Sequence, residues 1–167
     1  MASTRVTNLT SDDTDLIRDL YPQLRRFAAV VGPSELDPDD LVQEALVKVI
    51  RRQPLGALEH PSAYLWKVMS NLATDHRRRL GRRRRALSRI GPPEPEYPRY
   101  PSDLDDLERL TPRARSVLYL REVDRYSYAE IAEMLDGNEA SLRRTASRAR
   151  HSLRKALSEE DHDAATS

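Results

Sequence analysis

The sequence predicts an all-α chain of two small helical domains joined by a Pro/Arg-rich linker. Three observations carry that prediction. Apolar residues recur at the 3.6-residue spacing of amphipathic helices, and no convincing strand pattern interrupts them. The stretch GPPEPEYPRYPSD (91–103) holds five prolines and no helical period, so it reads as an extended tether. Residues 127–157 read as a helix, a short break and a second, basic helix.

The first helix is expected from Asp12 to Val31, where Leu16, Leu20, Leu24, Phe27 and Val31 repeat at helical spacing before Gly32-Pro33 ends the run. Asp37 is placed to cap a second helix that opens with Pro38 and runs to about Arg52, burying Leu41, Val42, Ala45, Leu46, Val49 and Ile50. Gln53-Pro54 and Gly56 form a connector, and Pro61 starts a third helix with Tyr64, Leu65, Val68, Met69 and Leu72 inward. Trp66 projects from nearly the opposite side of that helix. From Gly81 the pattern dissolves. The expected domains are therefore 12–80 and 104–157, with 81–103 a flexible linker and 1–11 and 158–167 disordered tails.

In the second domain Thr111-Pro112 is an N-cap and first-turn pair for a helix with Ala114, Val117, Leu118 and Leu120 inward. Ser127 and Glu130 have the spacing of a capping box, so the next helix starts at Tyr128. Asp136-Gly137 breaks it, with glycine expected to take the positive φ, and Asn138 caps the last helix. There Leu142, Ala146, Ala149, Leu153 and Leu157 form one stripe, leaving Arg143, Arg144, Ser147, Arg148, Arg150 and Arg154 off it. Such a helix buries one side and offers guanidinium groups to a nucleic-acid groove.

Composition narrows the classes. A net charge of +1 on 167 residues does not by itself announce a nucleic-acid partner, but Arg77 to Arg89 holds eight arginines in thirteen residues and no acid. That tract reads either as a phosphate-tracking tail or as a merely soluble linker. The absence of cysteine excludes structural disulfides and thiolate metal sites and suits a reducing cytosol, so a cytoplasmic location is expected. No run of about 18 apolar residues suggests membrane insertion, and the N-terminus lacks the apolar core of a signal peptide. His60, His76, His151 and His162 lack metal-ligand spacing, and there is no Gly-rich phosphate loop. No enzyme activity, metal or cofactor is therefore expected.

Three segments in order, DDLVQE (39–44), NLATDHRR (71–78) and EIAEML (130–135), resemble the sigma-70 family of bacterial RNA polymerase sigma factors. The match is to the short extracytoplasmic-function (ECF) group, which keeps only regions 2 and 4. It covers about Leu20 to Leu157. The resemblance implies a region 2 bundle of three or four helices and a region 4 helix-turn-helix. Implied partners are core RNA polymerase (the β′ coiled coil and the β flap), promoter DNA and an anti-sigma factor. A helix-turn-helix regulator acting without polymerase is the alternative, though it leaves the second and third helices unexplained.

The resemblance also assigns residues. Asp39, Asp40, Leu41, Gln43, Glu44 and Lys48 would dock on polymerase, although the same acids also suit a solvated first helical turn. Trp66, Asn71, His76, Arg77 and Arg78 would meet the melted −10 element. Trp66 either stacks on an unpaired base or packs against a neighbouring helix. Glu139, Ser141, Arg143, Arg144, Ser147 and Arg148 would read the −35 element from the start of the last helix. Two departures stand out. Relatives usually carry glycine before the EIA helix, where this chain has Arg125-Tyr126, and in LDGNEA the glycine comes one position late.

Overall fold

The computed structural model describes residues 11–89 and 105–164, with side chains for 11–89 and 106–158. The expected N-terminal tail, apart from Ser11, and most of the expected linker lie outside the described residues. The described helices are α1 (Ser11–Val31), α2 (Pro38–Ile50), α3 (Pro61–Leu87), α4 (Asp105–Glu108), α5 (Pro112–Glu122), α6 (Tyr128–Met134) and α7 (Glu139–Ala164), with a 3-10 turn at Leu55–Ala57.

Local signals set most boundaries. The Asp37 carboxylate accepts from the Asp39 N–H at 2.8 Å, and Thr111 Oγ1 accepts from Ala114 N–H at 3.1 Å. Ser127 and Glu130 form the full reciprocal capping box, and Asn138 Oδ1 accepts from Ser141 N–H at 3.2 Å. At the end of α1, Gly32 N–H donates to Ala28 O at 2.8 Å, and a Cβ on Gly32 would lie 2.9 Å from that same oxygen. Only glycine permits so close an approach.

Three boundaries differ from expectation. Helix α3 does not stop before Gly81 but runs on to Leu87, because the arginines that follow are good helix formers and outweigh one glycine. Helix α7 likewise continues past 157 to Ala164, into the segment expected to be disordered. The left-handed residue between α6 and α7 is Asp136 (φ 48°), not Gly137, and the Gly137 N–H then reaches back to Ala132 O at 2.7 Å, the six-to-one bond of a Schellman ending. Arg125, where relatives carry glycine, is also left-handed, with φ 63°.

The larger difference is in packing. The sequence predicts two separate compact units; the structure joins them through α5. That helix is buried almost all round, from Ala114 to Leu120, and a helix buried on every side must lie between other elements. It touches α1 and α3 on one side and α6 and α7 on the other. One apolar core therefore runs from Leu24, Phe27, Leu41 and Met69 through Val117 and Leu120 to Ile131, Leu142 and Ala146. Phe27 meets Tyr119 edge-on at 5.3 Å across the join. Polar groups complete it. Arg115 is only 3% exposed and donates to Val30 O at 3.2 Å and Gly32 O at 2.8 Å, neutralising the carbonyl end of α1. Ser116 Oγ donates to Ser70 Oγ at 3.0 Å.

Candidate nucleic-acid interface

Helix α2 presents one of three surfaces of interest. Leu41 is fully buried, so its place is in the core rather than on a docking face. Asp39 is turned inward along the protein surface, where it accepts from Tyr21 Oη at 2.8 Å and Arg25 Nε at 2.9 Å. Donating to that carboxylate pushes the Tyr21 hydroxyl pKa up. Asp40, Gln43 and Lys48 are exposed, and half-buried Glu44 hydrogen-bonds His76 Nε2 at 2.6 Å. Val47 belongs to the same face and was not singled out from sequence. It is 48% exposed and sits four residues after Gln43, so an apolar residue breaking the α2 polar side was the available signal.

Helix α3 divides the candidates it carries. Trp66 is 2% exposed, packed 6.1 Å from Phe27 and edge-on to Tyr126 at 5.7 Å. Of the two readings left open for this ring, helix packing holds. Arg77 also turns inward and donates to the Leu110 carbonyl, which corrects its expected outward position. Asn71 and Arg78 are exposed and lie seven residues apart, two helical turns along one face. Half-buried Tyr64 and Lys67 continue that face toward the start of α3. Tyr64 is thus the aromatic residue in line with Asn71 and Arg78. Sequence reasoning assigned it to the core stripe, and the half-buried ring does pack against the core while also lining this face.

Beyond Arg78 the same face continues through Arg82 and Arg85, both exposed. A cleft of about 570 Å³ lies beside the start of α3, lined by Leu58, Ser62, Tyr64 and Lys67 on one wall and by Tyr126, Glu130 and Met134 on the other.

Helix α7 buries Leu142, Ala146, Ala149 and Ala156; Ala156 takes the place expected for Leu157, which is 52% exposed. Opposite that stripe Ser141, Arg144, Ser147 and Arg148 are exposed, with His151 one turn further. Arg143 flanks them. Its Nε and a terminal nitrogen donate to Glu139 Oε1 at 3.0 and 2.6 Å, and its guanidinium lies 4.9 Å over the Tyr128 ring. Arg121 lies 5.1 Å from the same ring, and Arg150 reaches the Tyr128 hydroxyl at 3.3 Å and Glu122 at 2.8 Å. Tyr128 therefore gathers three guanidinium groups beside the exposed face, a role its apolar helix position did not suggest. Glu130, whose side chain caps the Ser127 N–H, is held below its ordinary pKa by that backbone bond.

No helix among the described residues is long and apolar enough to cross a membrane. The helices carrying these surfaces coincide with matched family models. Residues 16–83 match the model of Sigma-70 region 2, and residues 107–153 match that of Sigma-70, region 4. The chain is similar to the RNA polymerase sigma-E factor of Streptomyces coelicolor, 29% identical over 163 residues that cover 90% of this chain and 88% of that one. It is also similar to the ECF RNA polymerase sigma factor SigE of Mycolicibacterium smegmatis, 30% identical over 169 residues, covering 92% of this chain and 64% of that one. Among solved structures, the sigma factor RpoE of Bartonella quintana, in complex with the anti-sigma factor NepR, shares the fold with a TM-score of 0.67 at 21% identity, covering 89% of this chain and 98% of that one. The chain belongs to the sigma-70 family of RNA polymerase sigma factors, in its ECF group, and is a transcription initiation factor rather than an enzyme.

Proposed function

We propose that the chain binds core RNA polymerase through the exposed face of α2 and holds a promoter at two places. In this reading Asp40, Gln43, Glu44, Val47 and Lys48 meet the polymerase, at its β′ coiled coil. The Tyr64, Lys67, Asn71 and Arg78 face of α3 takes the melted −10 strand, with the aromatic ring stacking on a base and the cations on phosphates. The first half of α7 enters the major groove of the −35 element, and region 4 rests on the polymerase β flap. The two domains act as 11–87 and 105–164, with the segment between them as tether. An anti-sigma factor completes the set of partners; its support is the similarly folded sigma factor solved with NepR.

The observation that carries this reading is the outward set Ser141, Arg144, Ser147 and Arg148 at the start of α7, set against a buried stripe that fixes the helix on its support. The test is run-off transcription with purified core polymerase on genomic templates, followed by promoter sequencing. Arg144→Ala or Arg148→Ala should cost about 1–3 kcal/mol at one position of the upstream element if that residue reads a base. An equal loss on all sequences marks a phosphate contact. Absence of promoter-dependent transcripts refutes the function.

A further inference from the structure

We infer that His76 is a positioning residue of the polymerase-docking face: it holds the Glu44 carboxylate by one oxygen, so that the other is presented to a hydrogen-bond donor on the polymerase. The inference rests on the proposed reading of α2. The resemblance groups His76 with the −10 residues Asn71 and Arg78. At about 100° per residue, however, it lies about 140° round α3 from Asn71 and about 160° from Arg78. It turns toward α2 instead, where its Nε2 meets Glu44 Oε2 at 2.6 Å. A carboxylate only accepts, so the ring nitrogen donates.

This bond sets Glu44 apart from the rest of the docking set. Among the described residues, the exposed Asp40, Gln43 and Lys48 make no side-chain hydrogen bond or ion pair. Glu44 Oε1 makes none either, so the held carboxylate keeps a vacant acceptor. The side chains of His76 and Glu44 are 23% and 41% exposed. The bond is thus partly sheltered from water while the carboxylate stays within reach of a partner.

Without His76, Glu44 would turn along α2 to Lys48, four residues on, the favourable order for a glutamate and a lysine on one helix. That pairing would occupy two charges of the docking face at once. His76 draws the carboxylate off that line and leaves Lys48 unpaired as well. A glutamate fixed before binding also spares the entropy of fixing it at the interface, which is worth about two- to tenfold in affinity for one flexible side chain.

The test is the affinity of the full chain for purified core polymerase, measured by competition against a fluorescently labelled wild-type chain. His76→Ala should weaken binding about two- to tenfold. His76→Gln should restore it, because the glutamine amide nitrogen reaches as far as Nε2; His76→Asn, one carbon shorter, should not. In a Glu44→Ala background, His76→Ala should change nothing further. No loss in His76→Ala, a loss that persists without Glu44, or a failure of glutamine to restore binding overturns the inference. Gln43→Ala and Glu44→Ala probe the docking reading itself. If both leave affinity unchanged, that reading fails and the inference with it. If Gln43→Ala weakens binding and either Glu44→Ala or His76→Ala does not, the docking reading stands and the inference alone fails. A second measurement separates His76 from the DNA. The loss of run-off transcription in His76→Ala should vanish as polymerase is raised to saturation; a loss that persists there gives His76 to the melted strand and overturns the inference.

Discussion

Replacing Arg125 with glycine should stabilise the protein, against the usual expectation that glycine weakens a helical chain. Arg125 sits between α5 and α6 at φ 63°, a region in which a side chain's Cβ crowds its own backbone. That conformation costs a residue with a Cβ about 1–2 kcal/mol, and glycine nothing. Glycine in turn loses more freedom on folding, which returns about 0.4–1 kcal/mol to the unfolded state. The Arg125 side chain is exposed and makes no hydrogen bond or ion pair among the described residues, so little else is lost. The balance is a gain of about 0.5–1 kcal/mol, or a rise of about 1–4 °C in Tm for a chain of this size. Asp136→Gly is the internal control. It relieves a similar conformation (φ 48°) but removes the partner of Lys67, and aspartate tolerates that region better than arginine, so the net change should be near zero. Both variants are compared by thermal and denaturant unfolding. A lower Tm for Arg125→Gly, or a gain for Asp136→Gly that equals it, refutes the assignment of strain to Arg125.

Leu41→Ala should cost about 2–5 kcal/mol in denaturant unfolding, because Leu41 is fully buried, while Lys48→Ala changes stability by less than about 0.5 kcal/mol. Similar losses for the two would refute the division of α2 into a core side and an exposed side. Tyr128→Phe keeps the ring beneath Arg121 and Arg143, whereas Tyr128→Leu removes contacts worth about 0.5–1 kcal/mol each at a wet site. Competition between promoter and random duplex should therefore show lost sequence preference in the leucine variant alone. Desolvation raises the Asp124 carboxyl above 3.8, against the opposing pull of Arg26. The folded state then holds that proton more tightly than the unfolded state, so stability falls as pH rises through the window just above 3.8. Asp124→Asn removes this slope, and unfolding midpoints from about pH 4 to about pH 6 should fall for the wild type relative to the variant. A slope of the opposite sign refutes the burial of that carboxyl.

The elements that the sequence made legible are those set by neighbours a few residues away. Asp37, Thr111, Ser127 with Glu130, and Asn138 each cap the helix expected of them, since a cap needs only its own first turn. The buried stripe of α7 was legible for the same reason. Trp66 was not, because α3 is buried on two sides and a single-stripe reading sees one. Leu65, Met69 and Leu72 make one buried stripe, while Trp66, Ser70 and Ala73 make a second, where Trp66 meets Phe27 and Tyr126 and Ser70 meets Ser116 of α5. The small residues four and seven places after the tryptophan were the available trace. The other trace was α5 itself, where Val117-Leu118-Tyr119-Leu120 is apolar without period, as a helix enclosed on every side must be. Arg115 hid the join, because in a sequence an arginine counts as surface. Its burial makes sense only when the open carbonyls at the end of α1 are in view.

The basic tract that ends α3 is a rod, and this limits what it can grip. The helix is 27 residues long, about 40 Å at 1.5 Å per residue. Seven arginines lie between Arg77 and Arg85, and at about 100° per residue they point three ways. Arg78, Arg82 and Arg85 share one side and Arg79 and Arg83 another, while Arg77 and Arg84 turn back to the Leu110 carbonyl and to Glu35. A pliable strand of the same composition could wrap all of them onto phosphates and release about six counterions; a stiff one touches about three. The salt sensitivity of non-specific duplex binding by this tract should then have a logarithmic slope near −3 rather than near −6. In the proposed reading, guanidinium groups that cannot reach the duplex from the remaining sides are left to neighbouring protein, as Arg77 and Arg84 are, so a single cationic helix would serve nucleic acid on one flank and its own scaffold on another.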